Sequence, residues 1–151
     1  MKKNFEDLLQ TRKFLISKIE GLSAEELNKI PKGFKNNIAW NFTHLLVTQQ
    51  LLCYKFSGLK CLVSDELIEN FKKGSAPCYQ VPFEEFENNK ELFLQLPIKL
   101  EEDYNAGIFK DYTSYTTSIG VSINSVKEAI SFNFYHEGIH LGIILQLLKF
   151  V

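Results

Sequence analysis

The chain has 151 residues, of which 45% are hydrophobic and 23% are charged, as in an ordinary folded protein. Its net charge of −1 and its single arginine among 17 basic residues argue against nucleic-acid binding. No apolar run is long enough for a membrane span, and acidic residues follow the first lysines where a secretion signal would be apolar. We expect one domain over residues 1–151, located in the cytoplasm.

The three cysteines, Cys53, Cys61 and Cys78, are an odd number and have no CxxC spacing. This pattern predicts neither a disulfide framework nor a cysteine-based zinc site, and it suits a reducing compartment. Each is expected to be a small buried side chain.

Apolar spacing predicts a first long helix over residues 4–20. Ser23 and Glu26 then have the spacing of a capping box, which should begin a short helix that Pro31 ends. A second long helix should run from Asn36 or Asn37 to about residue 57.

A short helix over residues 64–73 and a long one over 83–104 follow. Pro97 falls inside the long segment, so we expect a kink there or two helices that meet. Residues 107–124 are rich in hydroxyl and β-branched side chains and should form a long, extended connection. We expect it to be a solvated loop, with a lid as the alternative.

Ser125 and Glu128 have the spacing of a second capping box, which should begin a last helix that runs to residue 151. Four long helices dominate, and no series of alternating strands is visible. The predicted fold is therefore all-α: an antiparallel four-helix bundle with short extra helices.

His136 and His140 lie four residues apart on the last helix, so both side chains project from one face. With Glu137 they match the HExxH pattern of zinc proteases. The 11 residues after His140 contain no His, Asp or Glu. A third ligand must therefore come from upstream, where His44 on the second long helix is the only other histidine.

Three imidazoles would suit zinc, nickel, cobalt or iron, with a further position left open for water or substrate. The alternative is that all three are ordinary histidines that hydrogen-bond to the backbone or to water.

Two stretches, N-I-A-W-N-F-T-H at residues 37–44 and H-E-G-I-H-L-G-I-I at 136–144, resemble motifs of the DinB-like superfamily. Thr117 to Gly120 and the sequence L-S-A-E-E-L at 22–27 also look like that family. Bacillithiol transferases and mycothiol-dependent isomerases are related to it. One position departs from the pattern, because Ile143 stands where the family often has glutamine.

The resemblance implies a bundle with one long crossover and a frequent homodimer. It also implies a divalent metal ion, zinc or nickel first, bound by His44, His136 and His140. The function it suggests is transfer of a low-molecular-weight thiol to a small electrophile. A metal-dependent hydrolase and a non-catalytic, stress-related metal-binding protein are the alternatives.

Neighbours of the histidines are candidates for shaping the site. Helical spacing places Trp40, Asn41 and Thr48 beside His44, and Asn133 beside His136. The polar three could orient imidazoles through hydrogen bonds, as metal sites generally require, whereas Trp40 could equally be core.

Glu137 is the one acid next to the candidate ligands, and it is therefore the candidate catalytic residue, as a general base. On an ideal helix its side chain points about 100° away from that of His136. This direction favours a partner role, either to a ligand or between helices.

Overall fold

The computed structural model describes all residues, 1–151, and contains only one small pair of strands. The all-α prediction is therefore confirmed. Six helices follow one another along the chain: α1 (Lys2–Ile19), α2 (Ala24–Asn28), α3 (Ile38–Cys53), α4 (Asp65–Phe71), α5 (Phe83–Asn105) and α6 (Val126–Leu147). Short 3-10 turns follow α3 and α6, at Lys55–Ser57 and Leu148–Phe150. None of the helices combines the length and the apolar character needed to span a membrane.

The four long helices α1, α3, α5 and α6 pack against one another. Helix α3 contacts α5 and α6, and α1 contacts the same two helices. Each long helix thus packs against two other long helices. Helix α3 is the most enclosed, since nearly all of its residues are buried. Its polar side chains must therefore find partners inside the protein.

Polar side chains cap the helix starts. Ser23 Oγ accepts a hydrogen bond from the N–H of Glu26, whose carboxylate accepts from the N–H of Ser23, so this capping box is confirmed. Ser125 likewise caps α6 by accepting from the N–H of Glu128. The Glu128 carboxylate instead accepts from the N–H of Asn124, so the second box is only half formed.

The second long helix is shorter than predicted. Helix α3 ends at Cys53, and the chain tightens into the 3-10 turn before it reaches Gly58. Ser57 Oγ donates to the carbonyl of Cys53, which satisfies one of the carbonyls left free at the helix end. Gly58 has a φ of 72°, a left-handed conformation that favours glycine, and it stops the helix as expected.

Helix α5 runs unbroken through Pro97, so the alternative of two helices meeting there is wrong. Proline has no N–H to offer to the carbonyl of Phe93, four residues earlier. Arg12 of α1 supplies the missing donor, because its Nη1 donates to that carbonyl at 2.7 Å. Gln49 Nε2 of α3 donates to the carbonyl of Leu96 at 3.2 Å. Side chains from two other helices thus satisfy the backbone around the proline.

The connection over residues 107–124 contains a short antiparallel ladder formed by β1 (Tyr115–Thr116) and β2 (Ser122–Ile123). It is tied to the end of α3, since Tyr112 Oη donates to the carbonyl of Leu52 at 3.0 Å. The connection is therefore anchored to the helix that carries His44.

The three cysteines are all free. Cys53 is buried, and this burial raises the pKa of its thiol. Cys61 is half-buried and Cys78 is exposed, so the expectation of burial was wrong for these two. Both lie in segments between long helices, where apolar periodicity gives no guide to burial.

Candidate metal centre

The three histidines come together across the contact between α3 and α6. One ring nitrogen from each of His44, His136 and His140 lies within 4.8 Å of the other two. The ring centroid of His44 is 5.1 Å from that of His136 and 4.7 Å from that of His140. We call these three residues the histidine cluster. Its nitrogens are close enough together to hold one metal ion.

A backbone carbonyl fixes the tautomer of His44. Nδ1 of His44 lies 2.6 Å from the carbonyl oxygen of Phe71, at the end of α4. A carbonyl can only accept, so Nδ1 carries the proton and Nε2 keeps a lone pair. That Nε2 is 3.2 Å from the hydroxyl of Thr48, which can donate to it. The nitrogen with the lone pair is the one that can bind a metal.

An asparagine fixes His140 in the same way. Nδ1 of His140 lies 2.8 Å from Oδ1 of Asn41. The amide orientation of Asn41 follows from its own partners, because its Nδ2 donates to the carbonyl of Asn37 and to Oδ1 of Asn36. Its Oδ1 must therefore accept from His140, which leaves Nε2 of that ring unprotonated.

In His136, one ring nitrogen has no hydrogen-bond partner among the protein atoms. This nitrogen, Nδ1, is buried. A buried polar atom without a partner is costly and uncommon in folded proteins. Three neutral imidazoles with one unpartnered nitrogen suit a divalent ion, because nitrogen ligands of this kind are those that zinc and nickel accept.

Burial keeps the three rings neutral. Burial, with smaller contributions from His140 and His44, lowers the pKa of His136 to about 3. Burial and the nearby His44 lower the pKa of His140 to about 4. The pKa of His44 is also lowered by burial, although its bond to Phe71 opposes the shift. At neutral pH all three are in the form that binds metals.

The cluster borders a cavity of about 570 Å³, which we call the histidine cavity. Its walls combine aromatic and aliphatic side chains with hydroxyl groups: Trp40, Leu51, Leu52, Phe56, Ile68, Tyr115, Phe132, Thr48, Thr117 and Ser118. The volume lies within the range of small-molecule sites. The 107–124 connection contributes Tyr115, Thr117 and Ser118, so it forms part of the cavity wall and is more than a solvated loop.

Trp40 belongs both to the core and to this cavity. Its ring stacks on that of His44, with centroids 4.7 Å apart and planes 11° from parallel. Only 6% of the residue is exposed, and Nε1 donates to the hydroxyl of Ser75. The ring thus holds one face of the His44 imidazole in place.

Glu137 and Asn133 lie in a different environment. Both oxygens of the Glu137 carboxylate are bonded to Arg12, at 2.6 Å from Nη2 and 3.1 Å from Nε. Asn133 Nδ2 donates to the same carboxylate at 2.8 Å, so its partner here is Glu137 and not an imidazole. The ion pair is buried away from solvent, since Arg12 is 0% exposed and Glu137 is 2% exposed. It joins α1 to α6, the interhelical role considered for Glu137.

Sequence reasoning missed Arg12, although a signal for it existed. Arg12 occupies the apolar stripe of α1, in register with Leu8 and Leu15, where a charged side chain is unusual. It is also the only arginine. Phe71 could not be identified in this way, because it contributes a backbone carbonyl. Ile143, at the position that departs from the family pattern, packs against the apolar core.

Comparison with known protein families identifies the family of this chain. The family model described as the DinB superfamily matches residues 7–144, which is most of the chain. No curated protein matches the chain. The match includes all three histidines and the motif stretches that contain them. The chain belongs to the DinB superfamily.

Proposed function

We propose that this protein is a metal-dependent enzyme that transfers a small thiol to an electrophile. His44, His136 and His140 would hold a divalent ion, zinc or nickel. The observation that carries the proposal is the histidine cluster itself: two rings of fixed tautomer and one unpartnered ring nitrogen at the wall of a cavity.

The number and kind of ligands favour catalysis over a purely structural site. Structural zinc sites usually have four protein ligands, whereas catalytic sites have three and leave room for a substrate. No carboxylate or thiolate belongs to this cluster. A divalent ion bound there would lower the pKa of a thiol or water that coordinates it.

The chain's own residues would orient and enclose the reactants. Phe71 and Asn41 hold two of the imidazoles with their lone pairs available, and Trp40 supports one ring from the side. The aromatic walls of the histidine cavity would bind the apolar part of the electrophile. Thr48 lies beside His44, and its hydroxyl could hydrogen-bond to a thiol bound there.

Glu137 would act by positioning. Its carboxylate is bonded to Arg12 and Asn133, so use as a general base would require this buried pair to separate. Because Glu137 lies between His136 and His140 in sequence, the ion pair fixes the rotation of α6 and with it both rings.

The test is a two-substrate assay. Untagged protein loaded with zinc or nickel is incubated with a small thiol and a panel of electrophiles, and the thiol adduct is measured by mass spectrometry. We expect adduct formation above the rate with free metal, loss on chelation and recovery on reloading. His136→Ala should be inactive, whereas Gln146→Ala, an exposed change on the same helix, should be active.

Other outcomes would decide between the remaining functions. Hydrolysis of the electrophile without thiol adduct would support the hydrolase. Stoichiometric metal binding without turnover of any substrate would support the non-catalytic metal-binding protein.

A further inference from the structure

Three lysines line the histidine cavity, and two of them, Lys55 and Lys73, are exposed and therefore lie towards its mouth. Besides the histidines, four charged residues line the cavity: Lys55, Lys72, Lys73 and Glu69. Lys55 follows the end of α3, and the other two lysines follow the end of α4. Three ammonium groups therefore accompany a single carboxylate around one opening.

That carboxylate is already paired. Nζ of Lys72 lies 2.5 Å from Oε2 of Glu69. Lys72, with a smaller contribution from Lys55, lowers the pKa of Glu69, so this carboxyl is ionised at neutral pH. Lys55 and Lys73 form no salt bridge, although Lys55 is near enough to Glu69 to interact with it at longer range. Two ammonium groups therefore remain available to a ligand.

The composition of the chain does not account for this excess. Acidic residues outnumber basic ones by 18 to 17 in the whole sequence. Lysines are common at helix C-termini, where they interact favourably with the helix dipole. That preference would scatter them over six helix ends, whereas here lysines from two helices meet at the cavity that contains the histidines.

We infer that the substrate of this site is an anion, whose carboxylate or phosphate is recognised by Lys55 and Lys73 at the mouth while its reacting group reaches the histidine cluster. This inference rests on the proposed function and adds the charge of the substrate to it. Lysine acts as a point charge and has no bidentate fork, so both kinds of anion fit. Attraction by ammonium groups at an opening would also speed the entry of such a ligand.

Trp40 provides a direct readout of binding. It is the only tryptophan in the chain, and it lines the cavity while stacking on His44. Its fluorescence should therefore report occupancy without any turnover.

The experiment compares four matched probes on zinc-loaded protein: 3-mercaptopropionate, 3-mercaptopropionamide, 3-hydroxypropionate and 3-hydroxypropionamide. The carboxylate-against-amide difference measures recognition of charge. The thiol-against-hydroxyl difference measures recognition by the metal, and so tests the proposed function separately. A fifth probe, 3-hydroxypropyl phosphate, compares phosphate with carboxylate.

Three proteins are titrated with each probe. They are the wild type, the cavity variant Lys55→Gln/Lys73→Gln, and the control Lys13→Gln/Lys32→Gln, which removes the same charge from exposed positions elsewhere. Lys72 is kept because it pairs with Glu69. All three should be equally helical by circular dichroism.

We expect the wild type and the control to bind the anions about fivefold more tightly than the amides. This factor is of the size that exposed ion pairs, which are weak, contribute to binding. The cavity variant should lose this difference, and added salt should reduce it in the wild type. Equal binding of anion and amide to the wild type would overturn the inference. So would a preference for the anion that survives in the cavity variant, because the metal alone would then explain it.

Discussion

Two polar clusters lie on neighbouring faces of helix α6 and are built differently. None of the residues of the arginine cluster, Arg12, Gln49, Asn133 and Glu137, lines the histidine cavity. Each guanidinium nitrogen of Arg12 donates to a carboxylate, amide or carbonyl oxygen, although Oδ1 of Asn133 has no partner. The histidine cluster borders a cavity, and one of its ring nitrogens has no partner.

This difference separates a structural role from a binding role. The arginine cluster joins all four long helices, since Arg12 also contacts Gln49 of α3 and the Phe93 carbonyl of α5. The Arg12 guanidinium also lies 4.2 Å above the Phe93 ring. A polar group satisfied in this way stabilises one packing of the helices. A group left unsatisfied beside a cavity is available for a ligand.

The largest expected effect is the loss of the histidine cluster as a metal site. His44→Ala, His136→Ala and His140→Ala should each abolish stoichiometric metal binding, because two imidazoles cannot replace three ligands. The variants should stay helical, because the core does not depend on the metal. Calorimetric titration with zinc and circular dichroism measure the two properties. Unfolding of all three variants would show instead that the cluster is structural.

The next largest effect concerns the arginine cluster. Arg12→Met should destabilise the metal-free protein by about 3–5 kcal/mol, because it leaves the Glu137 carboxylate buried without its partner. Urea denaturation measures the change. The double variant Arg12→Met/Glu137→Leu should recover at least half of the loss. Equal instability of the single and double variants would mean that Arg12 does not stabilise the protein through Glu137.

Two buried asparagines make the comparison sharper. Asn41→Ala should lower zinc affinity about 10–100-fold, because Asn41 orients His140. Asn133→Ala should cost about 1–2 kcal/mol of stability with little change in zinc affinity, because its partner is Glu137. If Asn133→Ala weakened zinc binding as strongly as Asn41→Ala, the two clusters would not be independent.

The last expected effect is a pH dependence of the metal-free protein. The folded pKa values of His136 and His140, about 3 and 4, lie below the ordinary value of 6.5. The unfolded chain therefore binds protons first as the pH falls. Their contribution to stability is complete above pH 6.5 and is lost as the pH falls from 6.5 to the folded values, on the order of 1 kcal/mol per pH unit for each ring.

Urea denaturation of the metal-free protein between neutral and acidic pH measures this dependence. His136→Gln/His140→Gln should have a flatter profile than the wild type. If the wild type and the double variant had identical profiles, protonation of the two rings would not account for the loss of stability in acid.

Local patterns allowed the helices, and two of the candidate ligands, to be predicted. Apolar spacing and caps such as Ser23 depend on neighbours in sequence, and the spacing of His136 and His140 places both on one helical face. His44 was the only other histidine, and the family resemblance supported it as the third ligand. The sequence of neither helix shows by itself that α3 and α6 are in contact.

The remaining features depend on contacts between distant segments. The continuity of α5 through Pro97 requires a donor from Arg12, which lies 81 residues before Phe93. The tautomer of His44 depends on a carbonyl 27 residues away. Lys55 and Lys73 meet at one cavity only because α3 and α4 end near each other. None of these could be obtained from periodicity or spacing.

The most direct test of the central claim is elemental analysis of wild-type protein purified without a histidine tag. The histidine cluster predicts about one divalent ion per chain, zinc or nickel first, either after purification or after dialysis against the metal. A folded protein that contains no metal and binds neither zinc nor nickel on titration would contradict the account.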